Sequence, residues 1–165
     1  AGVNISEIHG KVSESEQAIF AKLLDQQGLS PSLALGSHYY ATGISLVIHP
    51  KNPFVPTTHA NYRYFEMALP NTTLWWYGGG ADLTPYYFFE EDAIHFHKTY
   101  KAVCDKFDSN YYPKFKQDCD NYFHIPHRNE HRGIGGIFYD YQDYEYKLYL
   151  HKLIFRIVIQ DQIHY

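Results

Sequence analysis

The chain contains one methionine and two cysteines in 165 residues, and its lysines and arginines form no cluster. No apolar run approaches the ~20 residues a membrane span requires. Each shortage removes a class of protein. Cys104 and Cys119 stand apart from any Cys-x-x-Cys or Cys/His zinc spacing, so they read as reduced, packed thiols rather than a disulfide or zinc framework. Lys51, Arg63, Lys98 and Arg128 are dispersed and the formal charge is −4, which argues against a nucleic-acid footprint. The N-terminus, Ala1-Gly2-Val3-Asn4-Ile5-Ser6, lacks the basic and apolar regions of a leader peptide and lacks an initiator methionine. We therefore read the chain as starting inside a longer protein.

What is abundant is rings. Aromatics make up 18% of the residues, with 17 tyrosines and 11 phenylalanines, and there are 11 histidines. Chains that stay disordered are poor in aromatics, so a folded domain with one core is expected.

Ser13 reads as a helix cap with Glu16 three residues on, and Ile19, Phe20, Leu23 and Leu24 form the stripe of a helix that ends at Gly28 and Pro31. From Thr42 to His49 the pattern alternates with period two, and it does so again from Thr58 to Leu69, where His59, Asn61, Arg63 and Phe65 share one side. A third run, 72–77, completes an expected antiparallel meander, and Gly78-Gly79-Gly80 reads as a turn after it. Two helices are expected at Glu90–Phe107 and Tyr111–Phe123, followed by a turn-rich stretch from His127 to Gly136. The expected class is α+β, a mainly antiparallel sheet flanked by helices and incomplete, with a domain over 1–140 and a tail of other character over 141–165.

His49 and His59 on neighbouring strands, Asn61 and Arg63 beside them, Asp82 after the glycines, and His97, His127, Arg128 and Arg132 further on form a polar constellation. Singly, each fits an ordinary hydrogen-bonded residue. Together they permit two functional readings. One is a metal site of imidazoles, to which His95 and His97 can give only one ring, since i and i+2 point apart on a helix. The other is a pocket for an anionic substrate, with Arg63, Arg128 and Arg132 as carboxylate partners, His59 as acid/base and Asp82 facing a substrate N–H.

The stretches 42–53 and 55–66, then 75–87, 91–97 and 112–138, resemble in order the motif blocks of oxygen-dependent coproporphyrinogen III oxidase. The resemblance implies an enzyme of haem biosynthesis that oxidatively decarboxylates two propionates of coproporphyrinogen III to vinyl groups, giving protoporphyrinogen IX. O₂ is the co-substrate, with no organic cofactor, and the family forms homodimers. By motif, His59 and Asp82 would be catalytic, and Ser45, Asn61, Tyr62 and Arg63 would bind substrate, with Arg128 and Arg132 completing the anion pocket. His49, His59, His97 and His127 match positions given as ligands of a divalent metal in some members.

The pattern departs at Phe54, at His131 and at Tyr141, where the family has a second Asp, and family members are considerably longer. Alternatives of other classes are an inactive fragment or tetrapyrrole-binding protein without catalysis, and a histidine-rich metal-binding domain. No transmembrane segment is expected, and the compartment is left between cytoplasm and mitochondrion.

Overall fold

The computed structural model describes residues 1–142 together with Lys152 and Ile154. Its centre is a five-stranded antiparallel sheet in the order β1-β2-β3-β4-β7, formed by Gly2–Lys11, His38–Ile48, Thr57–Leu69, Thr72–Thr84 and Gly136–Gln142. Three helices accompany it, α1 (Gln17–Gln26), α2 (Glu90–Cys104) and α3 (Tyr111–Tyr122), with a short two-stranded pair, β5 (His124–Ile125) and β6 (Glu130–His131). The α+β architecture agrees with the expectation, and the β2-β3-β4 meander follows from the period-two runs.

The helices cover the sheet diagonally. On one face, Ala60 and Tyr62 of β3 pack with Leu46, Ala81, Leu83, Ile137 and Tyr139 beneath Phe96, Tyr100, Val103 and Cys104 of α2 and Phe115 of α3. Further along β3 the burial changes phase, and Phe65, Met67 and Leu69 on the opposite face meet Phe20 and Leu24 of α1. One half of each face is thus left uncovered by α1–α3. In one open half His59, Asn61 and Arg63 project; in the other, Tyr40, Tyr64, Trp75 and Tyr77 lie ring against ring at 5.3–6.5 Å.

Three local expectations change. First, β1 is a strand over Gly2–Lys11 that sequence alone did not reveal: its exposed residues Val3, Ile5 and Ile8 do not keep a single period. Second, Gly78-Gly79-Gly80 is no turn; these glycines lie inside β4, opposite Arg63, Tyr62 and Asn61. A Cβ on Gly78 would overlap the Asp140 carboxylate, and one on Gly79 would lie 2.8 Å from the Tyr139 hydroxyl. The glycines therefore let larger side chains of β3 and β7 lie across β4. Third, α1 begins at Gln17. Glu16 reaches back to the Ser13 backbone N–H at 3.0 Å and accepts the Ser13 hydroxyl at 2.6 Å, so the capping residues interact but the helix starts later. Of the expected tail, only Tyr141, Gln142, Lys152 and Ile154 are among the described residues; Ile154 is buried in the core under α2 and α3.

Burial pushes the Cys104 and Cys119 thiols up to about 12, so both stay protonated and pack as small apolar groups.

Candidate active site

Register assembles the site. In β3, residues 59, 61 and 63 point to one face, and their partners on the flanking strands point the same way: Val47 and Asp82 beside His59, Ser45 and Gly80 beside Asn61, Gly43 and Gly78 beside Arg63. β7 adds Phe138 opposite Gly80, and Asp140 reaches Arg63 across the glycines. A shallow cavity of about 200 Å³ is lined by Ser45, His59, Asn61, Arg63, Asp82, Arg132 and Phe138, among others.

Two charge clusters form its floor. Arg63 donates from Nη2 to Asp140 Oδ2 at 2.7 Å and from Nη1 to Asn61 Oδ1 at 3.0 Å, with its guanidinium 5.4 Å from the Phe138 ring centre. Arg132 holds Asp82 at both oxygens, Nε to Oδ2 at 2.8 Å and Nη2 to Oδ1 at 2.7 Å, and lies 3.8 Å over the Phe123 ring. Asp82 is 3% exposed at its side chain. Its Oδ2 is also 3.4 Å from His59 Nδ1, a buried atom with no hydrogen-bond partner in the structure.

The route that brings Arg132 here is backbone-made. Gly133 and Gly135 take left-handed φ of 56° and 74°, and the loop is clipped to β4 by Ile134 N–H to Leu83 O at 3.0 Å and Leu83 N–H to Gly135 O at 3.2 Å. In the left-handed region glycine avoids the strain a side chain would bring.

Of the residues expected from sequence, Ser45, His59, Asn61, Arg63, Asp82 and Arg132 converge. Tyr62 does not: odd and even positions of β3 face opposite ways, so its ring is in the core under α2. Arg128 also lies elsewhere, exposed in the turn before β6 and paired with Glu130 at 2.7 Å. The anion-pocket picture changes in charge as well. Arg63 and Arg132 already hold carboxylates of the chain, so the pocket carries two balanced pairs rather than three free cations. Asp140 and Phe138 are site residues that the sequence reading missed; alternation through β7 places both on the site face and was the available signal.

The four candidate metal ligands do not meet. β3 pairs His59 with Val47, which leaves His49 exposed beyond the end of β2. His127 is exposed in the turn after β5. His97 is on α2, across the sheet from His59, and both its ring nitrogens are engaged. The Ile134 carbonyl, 3.1 Å from Nε2, can only accept, so Nε2 carries the proton and Nδ1 accepts the Tyr112 hydroxyl at 2.8 Å. No ring lone pair is left for a metal. Among the described residues no group of three or more His, Cys, Asp or Glu side chains is placed to hold one. The residues present do not fit a shared metal centre.

This environment also holds His97 neutral: burial lowers its pKa from the ordinary 6.5, against the opposing pull of the Ile134 carbonyl. A depressed imidazole pKa means the unfolded chain takes up the proton first as pH falls. The stabilisation is therefore complete above the unfolded value and is lost as pH falls from about 6.5 toward the folded value. We expect the urea midpoint of the wild-type chain to fall between about pH 7.5 and about pH 5.5 more steeply than that of His97→Phe, since only the wild type carries this titration. Parallel pH dependences would refute it.

Comparison with known proteins agrees with the motif blocks. The family model described as coproporphyrinogen III oxidase matches residues 1–162. The oxygen-dependent coproporphyrinogen-III oxidase of Francisella tularensis subsp. holarctica (strain OSU18) is 55% identical over 139 residues, 84% of this chain and 42% of its own. That of Prochlorococcus marinus subsp. pastoris is 51% identical over 149 residues, 90% of this chain and 40% of its own. The Nicotiana tabacum protein, whose name adds chloroplastic, is 48% identical over 156 residues, 91% and 38%. The chain thus spans about two-fifths of the length of these relatives. No described helix is long and apolar enough to cross a membrane. With the glycine-crossed strand and the His59–Asp82–Arg132 cluster falling inside the matched region, the chain belongs to the coproporphyrinogen III oxidase family.

Proposed function

We propose that this chain carries the acid/base group and part of the carboxylate-binding wall of an O₂-dependent oxidation of coproporphyrinogen III to protoporphyrinogen IX, in haem biosynthesis. At each of two propionates, a –CH₂–CH₂–COO⁻ arm, O₂ and one proton become –CH=CH₂, CO₂ and H₂O₂. Two electrons leave the arm for O₂, the Cα–carboxylate bond breaks, and one proton must be supplied. An imidazole suits that supply, and His59 is the histidine lining the pocket. The observation that carries the proposal is the register that puts Ser45, His59, Asn61 and Arg63 on one open face beside Asp82.

In this reading one propionate carboxylate lies against Ser45, Asn61 and the N–H groups of Arg63 not used by Asp140 and Asn61. A guanidinium has five donors, and Asp140 and Asn61 take one each. Asp82 takes its place beside His59. The family's homodimer is carried over to this chain as part of the proposal; the outer edge of β1, unpaired among the described residues and bearing exposed Val3 and Ile5, supports such cover.

The test is aerobic turnover of coproporphyrinogen III by the purified chain, followed as CO₂ release and product absorbance. Turnover is expected, with His59→Ala lowering it by about 10²-fold or more, the usual worth of a positioned proton donor. Porphyrinogen binding without CO₂ release would instead favour the non-catalytic alternative. Turnover unchanged in His59→Ala would remove His59 from the proton-donor role.

A further inference from the structure

Arg132 stands in the pocket wall, where a cation for a substrate carboxylate would be expected. Its geometry says otherwise. The Nε/Nη2 edge, the one suited to a side-on bidentate grip, is taken by Asp82, and its face lies on Phe123. The Arg132 backbone N–H also donates to the Phe123 carbonyl at 3.2 Å, so the residue is fixed at both backbone and side chain.

We infer that Arg132 is a positioning residue that acts through Asp82 to fix the tautomer of His59, with Nδ1–H directed to Asp82 and Nε2 left facing the pocket. This rests on the reading of His59 as the site's proton carrier. Two observations and one chemical rule support it. Nδ1 of His59 is buried and has no formed hydrogen bond, and Asp82 Oδ2 stands 3.4 Å away. The His59 side chain as a whole is 28% exposed, so its accessible side is that of Nε2. A carboxylate accepts only, so an approach of Nδ1 to Asp82 requires the proton on Nδ1. Arg132, by engaging both Asp82 oxygens, stops the carboxylate from rotating away from the ring. The arrangement is a cation–carboxylate–imidazole row along the pocket lining, ending at His59.

The experiment is ¹⁵N NMR of the imidazole nitrogens in the substrate-free 165-residue chain, with His59 assigned by His59→Gln, at about pH 8, where an ordinary imidazole is neutral. In the wild type the Nδ1–H tautomer of His59 should dominate by about tenfold or more, the preference expected of a hydrogen bond to a charged acceptor. In Arg132→Met that dominance should fall severalfold while the signals of His97 stay put. Arg132→Lys, which keeps the charge but grips one oxygen, should lie between; it also serves where Arg132→Met does not fold. A dominant Nε2–H tautomer in the wild type overturns the inference. So does a His59 tautomer ratio unchanged in the Arg132 variant that folds, the result expected of a residue serving substrate alone. Because no substrate is present, a chain that fails to turn over coproporphyrinogen III sinks the functional reading without touching this result.

Discussion

Arg132→Met is expected to lower the stability of the chain by about 3 kcal/mol, measured as a shift of the urea midpoint at constant slope. The cause is what the substitution leaves behind. Asp82 is 3% exposed and receives two short bonds from Arg132. Without them, a buried carboxylate keeps only His59 at 3.4 Å. Breaking a buried pair on one side costs about 3–5 kcal/mol, and the partial exposure of Arg132 moves this case to the lower end. Loss of its contact with Phe123 adds about 0.5–1 kcal/mol. The paired variant Asp82→Asn/Arg132→Met should recover part of the loss, because the uncompensated charge is then gone, and a double-mutant cycle reads that coupling directly. A loss below about 1 kcal/mol for Arg132→Met would mean that water reaches Asp82 and that the pair is worth no more than one on the surface.

The second large effect belongs to Phe115→Ala, expected to cost about 3–5 kcal/mol, the range for emptying a buried phenylalanine site. Phe115 is 1% exposed on α3; it stacks on Tyr111 at 5.3 Å and meets Tyr139 of β7 at 5.1 Å. Tyr139 is itself buried and crosses above Gly79, so the space left cannot close from the sheet side without moving β4. Phe115→Leu should cost much less, because it restores most of the volume. Phe115→Ala should also loosen Arg132, since α3 leads directly into Phe123. A cost under about 1 kcal/mol in urea unfolding would show that α3 is not anchored at this ring.

How much of this could be read in the sequence depended on whether one strand or several were needed. The alternation of His59, Asn61 and Arg63 with Ala60, Tyr62 and Tyr64 was visible and located the site face. The same alternation already argued against Tyr62 as a pocket residue, but its place within the family motif outweighed that signal. His49 was expected beside His59 on a neighbouring strand; the register instead places His49 in the connection of residues 49–56 and pairs Val47 with His59. The glycine triplet read as a turn because glycine permits one. Its role in the sheet depends on Asp140 and Tyr139, some sixty residues later and two strands away from β3. The internal pairing of Arg63 and Arg132 was equally hidden, since a sequence shows cations without showing which carboxylate each one meets. Helices α2 and α3 were legible nearly to their ends, their boundaries marked by Glu90 and Pro126.

The diagonal covering of the sheet bears on how the chain can tolerate changes in length. Strand β3 buries Ala60 and Tyr62 on one face and Met67 and Leu69 on the other. Inserting a single residue at its middle would turn every side chain beyond that point to the wrong side. The same insertion would expose one core or the other and separate the His59 half of the strand from the α1 half. Lengthening should instead be absorbed at 49–56 or 85–89, outside the ladders. Length variation among functional relatives is thus expected at those two connections and excluded from the centre of β3.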